Sequence, residues 1–170
     1  MRTHIIVNGN ANSREATVQM WELEIRESVR QTLADYTAAT DSFDLKALAA
    51  CFAPEGVLKY TGGEPLIGPA AIEKGLGVQL GGNRDTPRPT LTHVRHHVSS
   101  IRFASVGRDR VDVTSYFAVH TDIGLDHWGR YRDVLVPGDR WLFASRKIAV
   151  DSFAAESLMG GSGTDEFLGE

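Results

Sequence analysis

Three of the six histidines of this chain fall within the stretch LTHVRHHVSSIRF, residues 91–103. They are His93, His96 and His97, and imidazole is well suited to proton transfer and metal binding near neutral pH. The stretch follows a Thr-Pro-Arg-Pro segment and is rich in β-branched residues, which predicts a strand after a loop. In a strand, His93 and His97 share one face about 13 Å apart, too far for one metal ion with bonds of about 2 Å. His96 points to the opposite face, so the pattern disfavours a zinc site and leaves one imidazole facing inward.

Composition narrows the classes of function. A length of 170 residues predicts one domain with a sizeable core. A formal charge of −4 and a pI near 5.9 argue against a generic binder of nucleic acid or of an anionic membrane. The single cysteine, Cys51, excludes an internal disulfide and fits a reducing cytosol. No signal peptide and no stretch long enough to span a membrane is recognisable, so we expect a cytoplasmic protein.

The first half of the chain has helical periodicity. Apolar residues recur every three or four positions from about Ala16 to Thr40, which predicts a long amphipathic helix after a flexible segment at 1–15. Asp44 occupies the N-cap position of a predicted second helix, which stops before Pro54. A third helix is predicted to begin at Gly68-Pro69.

The second half has the alternation of strands. Beyond a predicted loop at 80–89, four long strands are expected, after a short strand at 56–62; they are 91–103, 110–122, 129–137 and 140–150. Helices followed by antiparallel strands predict one α+β domain over 16–151. A long sheet that curls around its helices leaves a cone-shaped pocket. Residues 152–170 are predicted to be a tail or a partner-dependent segment.

The order of elements and several motifs resemble the SnoaL-like branch of the NTF2-like superfamily, which includes scytalone dehydratase, bile-acid dehydratases, ketosteroid isomerase and polyketide cyclases. The matching motifs are YTAATDSFDLKALAACFAPEGVLKY (36–60), GPAAI (68–72), RHHVSS (95–100), SYFAVH (115–120), GRYRD (129–133) and RWLFASRKIAVD (140–151). The resemblance covers about residues 17–151. It implies a cone-shaped NTF2-like fold, with three N-terminal helices packed on a curved, mainly antiparallel sheet.

The dehydratases of this group resemble the chain most around the pocket, and the resemblance implies four catalytic residues. Asp41 falls on their Asp after the first helix, and His96 falls on their His of the first long strand. Tyr36 and Tyr60 fall on tyrosines that polarise a carbonyl. A ketosteroid isomerase would need a carboxylate near position 60, where this chain has LKYTG, and this departure argues against a steroid isomerase with that base.

Three further residues are candidates for substrate binding on neighbouring strands. His97 takes the place of His96 if the register of the strand slips by one, because a slip reverses the faces. His120 shares a face with Tyr116, and from there it lines the mouth of the pocket or faces solvent.

Arg146 is a fourth candidate for substrate binding. Strict alternation places it on one face with Leu142 and Ala144, and a guanidinium among such neighbours needs a partner. That partner is Asp133 or Asp151 within the sheet, or a carboxylate of the substrate.

The reaction expected first is a dehydration without cofactor or metal. His96, oriented by Asp41, removes a proton next to a carbonyl, while Tyr60 and Tyr36 stabilise the enolate oxygen. Alternatives are an isomerase or polyketide cyclase that uses the same proton abstraction, and a non-catalytic binder of small molecules. The expected partners are a small hydrophobic substrate and further copies of the chain in a homodimer or homotrimer, with no nucleic acid and no membrane.

Overall fold

A computed structural model describes residues 18–81 and 91–159, with 78–81 described by their backbone alone. The expected N-terminal segment at 1–15, most of the predicted 80–89 loop and residues 160–170 lie outside this part. The elements in chain order are α1 (Met20–Asp41), α2 (Leu45–Ala49), β1 (Phe52–Tyr60), β2 (Leu66–Ile67), α3 (Pro69–Gly81), β3 (Arg95–Val106), β4 (Val111–Thr121), β5 (Gly124–Pro137) and β6 (Trp141–Phe153).

The described strands form one six-stranded sheet in the order β2-β1-β6-β5-β4-β3. Neighbouring strands are antiparallel except β1 and β6, which run parallel. Helices that precede and cover a curved, mainly antiparallel sheet confirm the predicted α+β fold. The helix-covered face of the sheet, called the interior face below, carries most of the buried side chains.

Helix α1 packs on the sheet along the stripe that the sequence predicts. Val29, Leu33 and Tyr36 recur at helical spacing and are buried, as expected for an amphipathic helix that covers a core. The Thr32 hydroxyl on the same stripe donates to the Trp141 carbonyl at the start of β6. This buried bond fixes the helix against the opposite end of the chain.

The second helix is shorter than predicted. It was expected to continue to the residue before Pro54, but it ends at Ala49 and the chain enters the sheet at Phe52. Phe52 lies beside Phe143 of β6, and the register shifts between Phe52 and Val57. This irregularity accommodates Pro54 inside a strand, because a proline cannot donate to a regular ladder.

Strand pairing also moves the predicted boundaries of three strands. β3 begins at Arg95 and continues to Val106, since it pairs with β4 over that length. β5 begins at Gly124, five residues before the predicted start at 129. β6 continues to Phe153, beyond the predicted end at 150, because Phe153 still pairs with His127 of β5.

A bulge in β6 changes the predicted face of Arg146. Val134 and Leu135 of β5 pair with Ser145 and Phe143, so one residue of β6 is left over and alternation is interrupted. Arg146 consequently lies on the interior face with Phe143, and not with Leu142 as strict alternation predicted.

The described residues contain neither a membrane-spanning helix nor a metal-binding cluster. None of the helices in this part of the chain is long and apolar enough to cross a membrane. No three His, Cys, Asp or Glu side chains among these residues lie close enough together to hold one metal ion.

Candidate active site

The last residue of α1 and the second residue of β3 form a histidine–aspartate pair. Asp41 Oδ1 lies 2.7 Å from His96 Nδ1. The same carboxylate accepts from the His96 backbone N–H, at 3.1 and 3.2 Å for its two oxygens. The side chains are only 10% (His96) and 16% (Asp41) exposed. The predicted hydrogen-bond contact between these two side chains is therefore present.

This contact determines which nitrogen of His96 is available for chemistry. A carboxylate only accepts hydrogen bonds, so the proton of a neutral His96 ring sits on Nδ1. Within the described part of the chain, Nε2 has no hydrogen-bond partner. Its lone pair is consequently free to accept a proton, while Asp41 holds the ring in place.

Asp41 is available for this contact because other groups complete the turn after α1. Asp44 is the N-cap of α2, as predicted, and its carboxylate accepts from the Ala47 N–H at 2.9 Å. The Ser42 hydroxyl donates to the Ala38 carbonyl at 2.8 Å. The carboxylate of Asp41 is thus directed at β3 rather than at a helix end.

A second charged pair lies on the interior face of β5 and β6. Arg146 donates to Asp133 through Nε at 2.9 Å and through Nη2 at 2.7 Å, and both side chains are almost wholly buried. One of the two sequence-predicted partners of Arg146 is therefore the observed one. Arg146 Nη1 is buried and has no hydrogen-bond partner among the described residues.

Three aromatic rings surround the guanidinium of Arg146. Its central carbon lies 4.1 Å from the ring centre of Tyr36 and 4.2 Å from those of Tyr131 and Phe143. Burial alone lowers the pKa of Arg146, but the charge of Asp133 outweighs it and raises that pKa. Burial also raises the pKa of Asp133, and the charge of Arg146 opposes that rise. The forked geometry is that of an ionised pair, so we treat both groups as charged.

The tyrosines near this pair are neutral hydrogen-bonding groups. Burial raises the pKa of Tyr36, and Arg146 opposes that rise. Burial likewise raises the pKa values of Tyr60 and Tyr131. Each phenol therefore keeps its proton at neutral pH and can donate it in a hydrogen bond. Sequence reasoning missed Tyr131, although its place within the GRYRD motif on an alternating strand could have indicated it.

The predicted catalytic residues fall into two groups. Asp41 pairs with His96, whereas Tyr36 contacts Arg146 and influences Tyr60 electrostatically. Tyr36 and Asp41 are five positions apart on α1, which directs them roughly 140° apart around the helix axis. The site thus consists of a histidine–aspartate part and a tyrosine–arginine part on one interior face.

Three predicted binding residues lie on the other face of the sheet. Phe117 and Val119 of β4 are buried on the interior face. Tyr116 precedes Phe117 and His120 follows Val119, so alternation directs both side chains outward. Tyr116 is 56% exposed, and the rings of His97 and His120 meet edge to face at 4.8 Å. Of the two positions that alternation left open for His120, the mouth of the pocket or solvent, the structure gives the outer face of the sheet, where Tyr116 and His97 also lie. His97 does not replace His96, because the register is the predicted one.

The remaining histidine of the opening stretch is a surface residue. His93 Nδ1 lies 3.2 Å from Asp122 Oδ1, and its side chain is 46% exposed. The same carboxylate accepts from the backbone N–H of Thr92 at 2.8 Å. This cluster joins the loop before β3 to the turn after β4 and belongs to neither part of the site.

Sequence reasoning missed a second histidine–aspartate pair, on β5. His127 Nδ1 lies 2.8 Å from Asp126 Oδ1. Asp126 is fully buried, and His127 is 8% exposed. Burial lowers the pKa of His127, and the charge of Asp126 opposes this. A bulge hides the pair in the sequence, since the register of β5 against β4 shifts between Val119 and His120 and two consecutive residues become buried.

A groove outside the sheet differs in character from this site. It has a volume of about 300 Å³ and is open to solvent. It is lined by Glu27, Ser28, Gln31, Thr32, Asp35 and Arg140. Among the described residues that line it there is no histidine, so its charged groups are those of Glu27, Asp35 and Arg140.

The fold and the site together define a class. Helices that cover a curved, mainly antiparallel sheet are the architecture of the cystatin-like NTF2-like proteins. The family model described as the SnoaL-like domain matches residues 21–147. The chain therefore belongs to the SnoaL-like family of the NTF2-like superfamily. No curated protein sequence matches it.

Solved structures show the same fold. A protein provisionally named scytalone dehydratase from Novosphingobium aromaticivorans is 22% identical, with a TM-score of 0.65 over 78% of this chain and 87% of that chain. A protein from Catenulispora acidiphila is 26% identical, with a TM-score of 0.66 over 78% and 96%. An NTF2-like protein with a cystatin-like fold from N. aromaticivorans is 20% identical, with a TM-score of 0.63 over 82% and 91%.

Proposed function

We propose that the protein is a cofactor-free lyase that dehydrates small hydrophobic, cyclic hydroxyketones. The observation that supports this most is the hydrogen bond between Asp41 and His96, at 2.7 Å between side chains that are largely buried. A histidine with one nitrogen held by a carboxylate and the other free has the arrangement of a general base. The similarity to a protein named as a scytalone dehydratase agrees with this class of reaction.

The proposed reaction begins at the carbon next to the substrate carbonyl. Nε2 of His96 takes a proton from that carbon, and the C–H electrons move into the enolate. Asp41 stabilises the imidazolium that forms, because its negative charge lies against Nδ1–H. The enolate then collapses, the bond to the neighbouring hydroxyl breaks, and His96 returns its proton to the departing oxygen as water.

The tyrosines are proposed to stabilise the enolate oxygen. Tyr60 is partly buried on β1, and Tyr36 lies against the charged Arg146. A neutral phenol donates a stronger hydrogen bond to a developing oxyanion than to a ketone, so such a contact lowers the barrier. Arg146 acts on this step through Tyr36, because its charge makes that phenol a better donor.

The test uses two ketones that differ in a single hydroxyl. 3-Hydroxy-1-tetralone can lose water and then rearrange to a fluorescent naphthol, whereas 1-tetralone can only exchange its C2 protons for deuterium in D₂O. We expect His96→Ala and Asp41→Asn each to slow both reactions by about 10²- to 10⁴-fold. The readouts are naphthol fluorescence and the C2 signal in proton NMR.

His97→Ala is the matched control, because His97 lies next to His96 but on the outer face. It should leave both rates unchanged. Deuterium exchange without elimination would favour an isomerase or cyclase. Binding of both ketones with neither reaction would favour a non-catalytic binder and would contradict the proposal.

A further inference from the structure

A second imidazole faces the same part of the interior as His96. In the antiparallel ladders His96 lies directly opposite Val119, and Val119 lies directly opposite His127. Directly opposed residues point to the same face, so the two imidazoles flank Val119 on the interior face. With strands about 4.8 Å apart, their backbones are about 10 Å from each other. The charge of His96 also contributes to lowering the pKa of His127.

The surroundings of His127 hold it in one orientation. Its ring stacks on Phe153 at 5.4 Å and meets Phe117 edge to face at 5.9 Å. Its Nδ1 faces Asp126, so Nδ1 carries the proton of the neutral ring. Nε2 has no partner among the described residues. The free atom is therefore a hydrogen-bond acceptor on a residue of the interior face.

Asp126 is held at least as firmly as the ring. Its carboxylate accepts from the hydroxyls of Thr121 at 3.2 Å and Ser157 at 2.7 Å, and from the Leu158 N–H at 2.8 Å. A carboxylate that accepts several hydrogen bonds favours its ionised form, and the pKa of Asp126 is lowered although burial opposes this. The segment after β6 thus fixes Asp126, and Asp126 fixes the tautomer of His127.

We infer that His127 is a substrate-binding residue whose Nε2 accepts a hydrogen bond from the hydroxyl of a hydroxyketone bound over Val119. This assignment rests on the proposed function for the identity of the ligand, and it deepens that function by giving the two imidazoles different tasks. His96 takes the proton next to the carbonyl. His127 selects substrates that carry a hydroxyl and turns the lone pairs of that oxygen toward the protonated His96.

The chemistry favours an acceptor role over an acid role for His127. A neutral ring with its proton on Nδ1 cannot donate from Nε2, so it cannot protonate the leaving oxygen. It can only accept the hydroxyl proton in a hydrogen bond. Because an unpaired acceptor in a buried site is unfavourable, ligands without the hydroxyl bind less well.

Binding is measured in His96→Ala, which prevents turnover, by NMR titration with 3-hydroxy-1-tetralone and with 1-tetralone. We expect the hydroxyketone to bind about tenfold more tightly, as for one hydrogen bond in a buried site. Adding His127→Phe keeps the ring packing against Phe117 and Phe153 but removes Nε2, and it should abolish this preference without weakening 1-tetralone binding. His127→Asn, which retains a donor to Asp126 but is too short to replace Nε2, should do the same.

Each outcome decides between the two roles. Equal weakening of both ketones would mean that His127 only packs, and an unchanged preference, equal binding of the two ketones or no binding would also overturn the inference. A preference that depends on His127 in a protein that catalyses neither reaction would refute the proposed function and leave this inference standing.

Discussion

The interior face carries two kinds of acid–base pair, and they differ in what their basic partner can do. His96 keeps one nitrogen without a partner in the described part of the chain, and the lone pair of that nitrogen can accept a proton. Arg146 is forked onto Asp133, enclosed by three rings, and cannot release a proton. The first pair is suited to proton transfer, and the second is a fixed pair of charges that joins β5 to β6 on the interior face.

The largest effect is expected at the fixed pair. Arg146→Met leaves the carboxylate of Asp133 buried without its partner and should lower the free energy of unfolding by about 3–5 kcal/mol. Urea unfolding followed by circular dichroism measures this. The double variant Arg146→Met/Asp133→Asn should recover part of the loss, because it removes the stranded charge.

An exposed pair on the same two strands is the control for that experiment. Arg130 and Asp151 lie 2.7 Å apart and are partly exposed, so Arg130→Ala should change stability little. If Arg130→Ala cost as much as Arg146→Met, burial would not be what distinguishes the two pairs.

A middle-sized effect is expected at Asp41, where fold and chemistry can be separated. Asp41→Ala removes the acceptor of the His96 backbone N–H and should cost about 1–3 kcal/mol in urea unfolding. Asp41→Asn keeps an oxygen at that place and should cost clearly less, while abolishing most activity. Equal stability losses in the two variants would argue that the charge, and not the acceptor, holds α1 to β3.

A smaller effect is expected where the chain beyond β6 meets Asp126. Ser157→Ala removes one hydroxyl that donates to Asp126 Oδ1 and should lower stability by about 1 kcal/mol. Ser152→Ala, at an exposed position of β6, is the control and should have no measurable effect. An unchanged urea midpoint for Ser157→Ala would show that this contact does not stabilise the folded protein.

The smallest effect on stability at neutral pH is expected at His127. This effect grows as the pH falls. Burial holds its pKa in the folded protein below the ordinary value of 6.5, so the unfolded chain binds the proton first as the pH falls. The associated stability is fully present above about pH 6.5 and is lost toward the lower folded-state pKa. His127→Phe should therefore flatten the decline of urea stability below pH 6.5; an unchanged slope would contradict this.

Regular periodicity explains which parts of the fold were predictable. The stripe of α1 and the alternation of the long strands are local patterns, and both were read correctly. Bulges interrupt alternation without any local signal, which is why Asp126 and His127 were missed and why Arg146 was grouped with Leu142 and Ala144 rather than with Phe143. The parallel contact of β1 with β6 was equally hidden, because it joins segments that are far apart in the chain.

The site itself was only partly predictable from residues. Asp41 and His96 are 55 positions apart, and no spacing rule joins two such residues. Their pairing followed from the resemblance to dehydratases, supported by the argument that Asp44 fills the cap. The outward position of His120 and Tyr116 was one of the alternatives that alternation allowed, but only the buried neighbours on β4 decide which face is inside.

The bond from the Thr32 hydroxyl to the Trp141 carbonyl has a consequence for biosynthesis. It joins residues 109 positions apart, and β1 also finds its main neighbour in β6. The part of α1 that packs on β6, and the side of β1 that pairs with β6, consequently gain these contacts only after the last strand has been synthesised. Contacts of such long range slow folding and leave apolar surface exposed until they form.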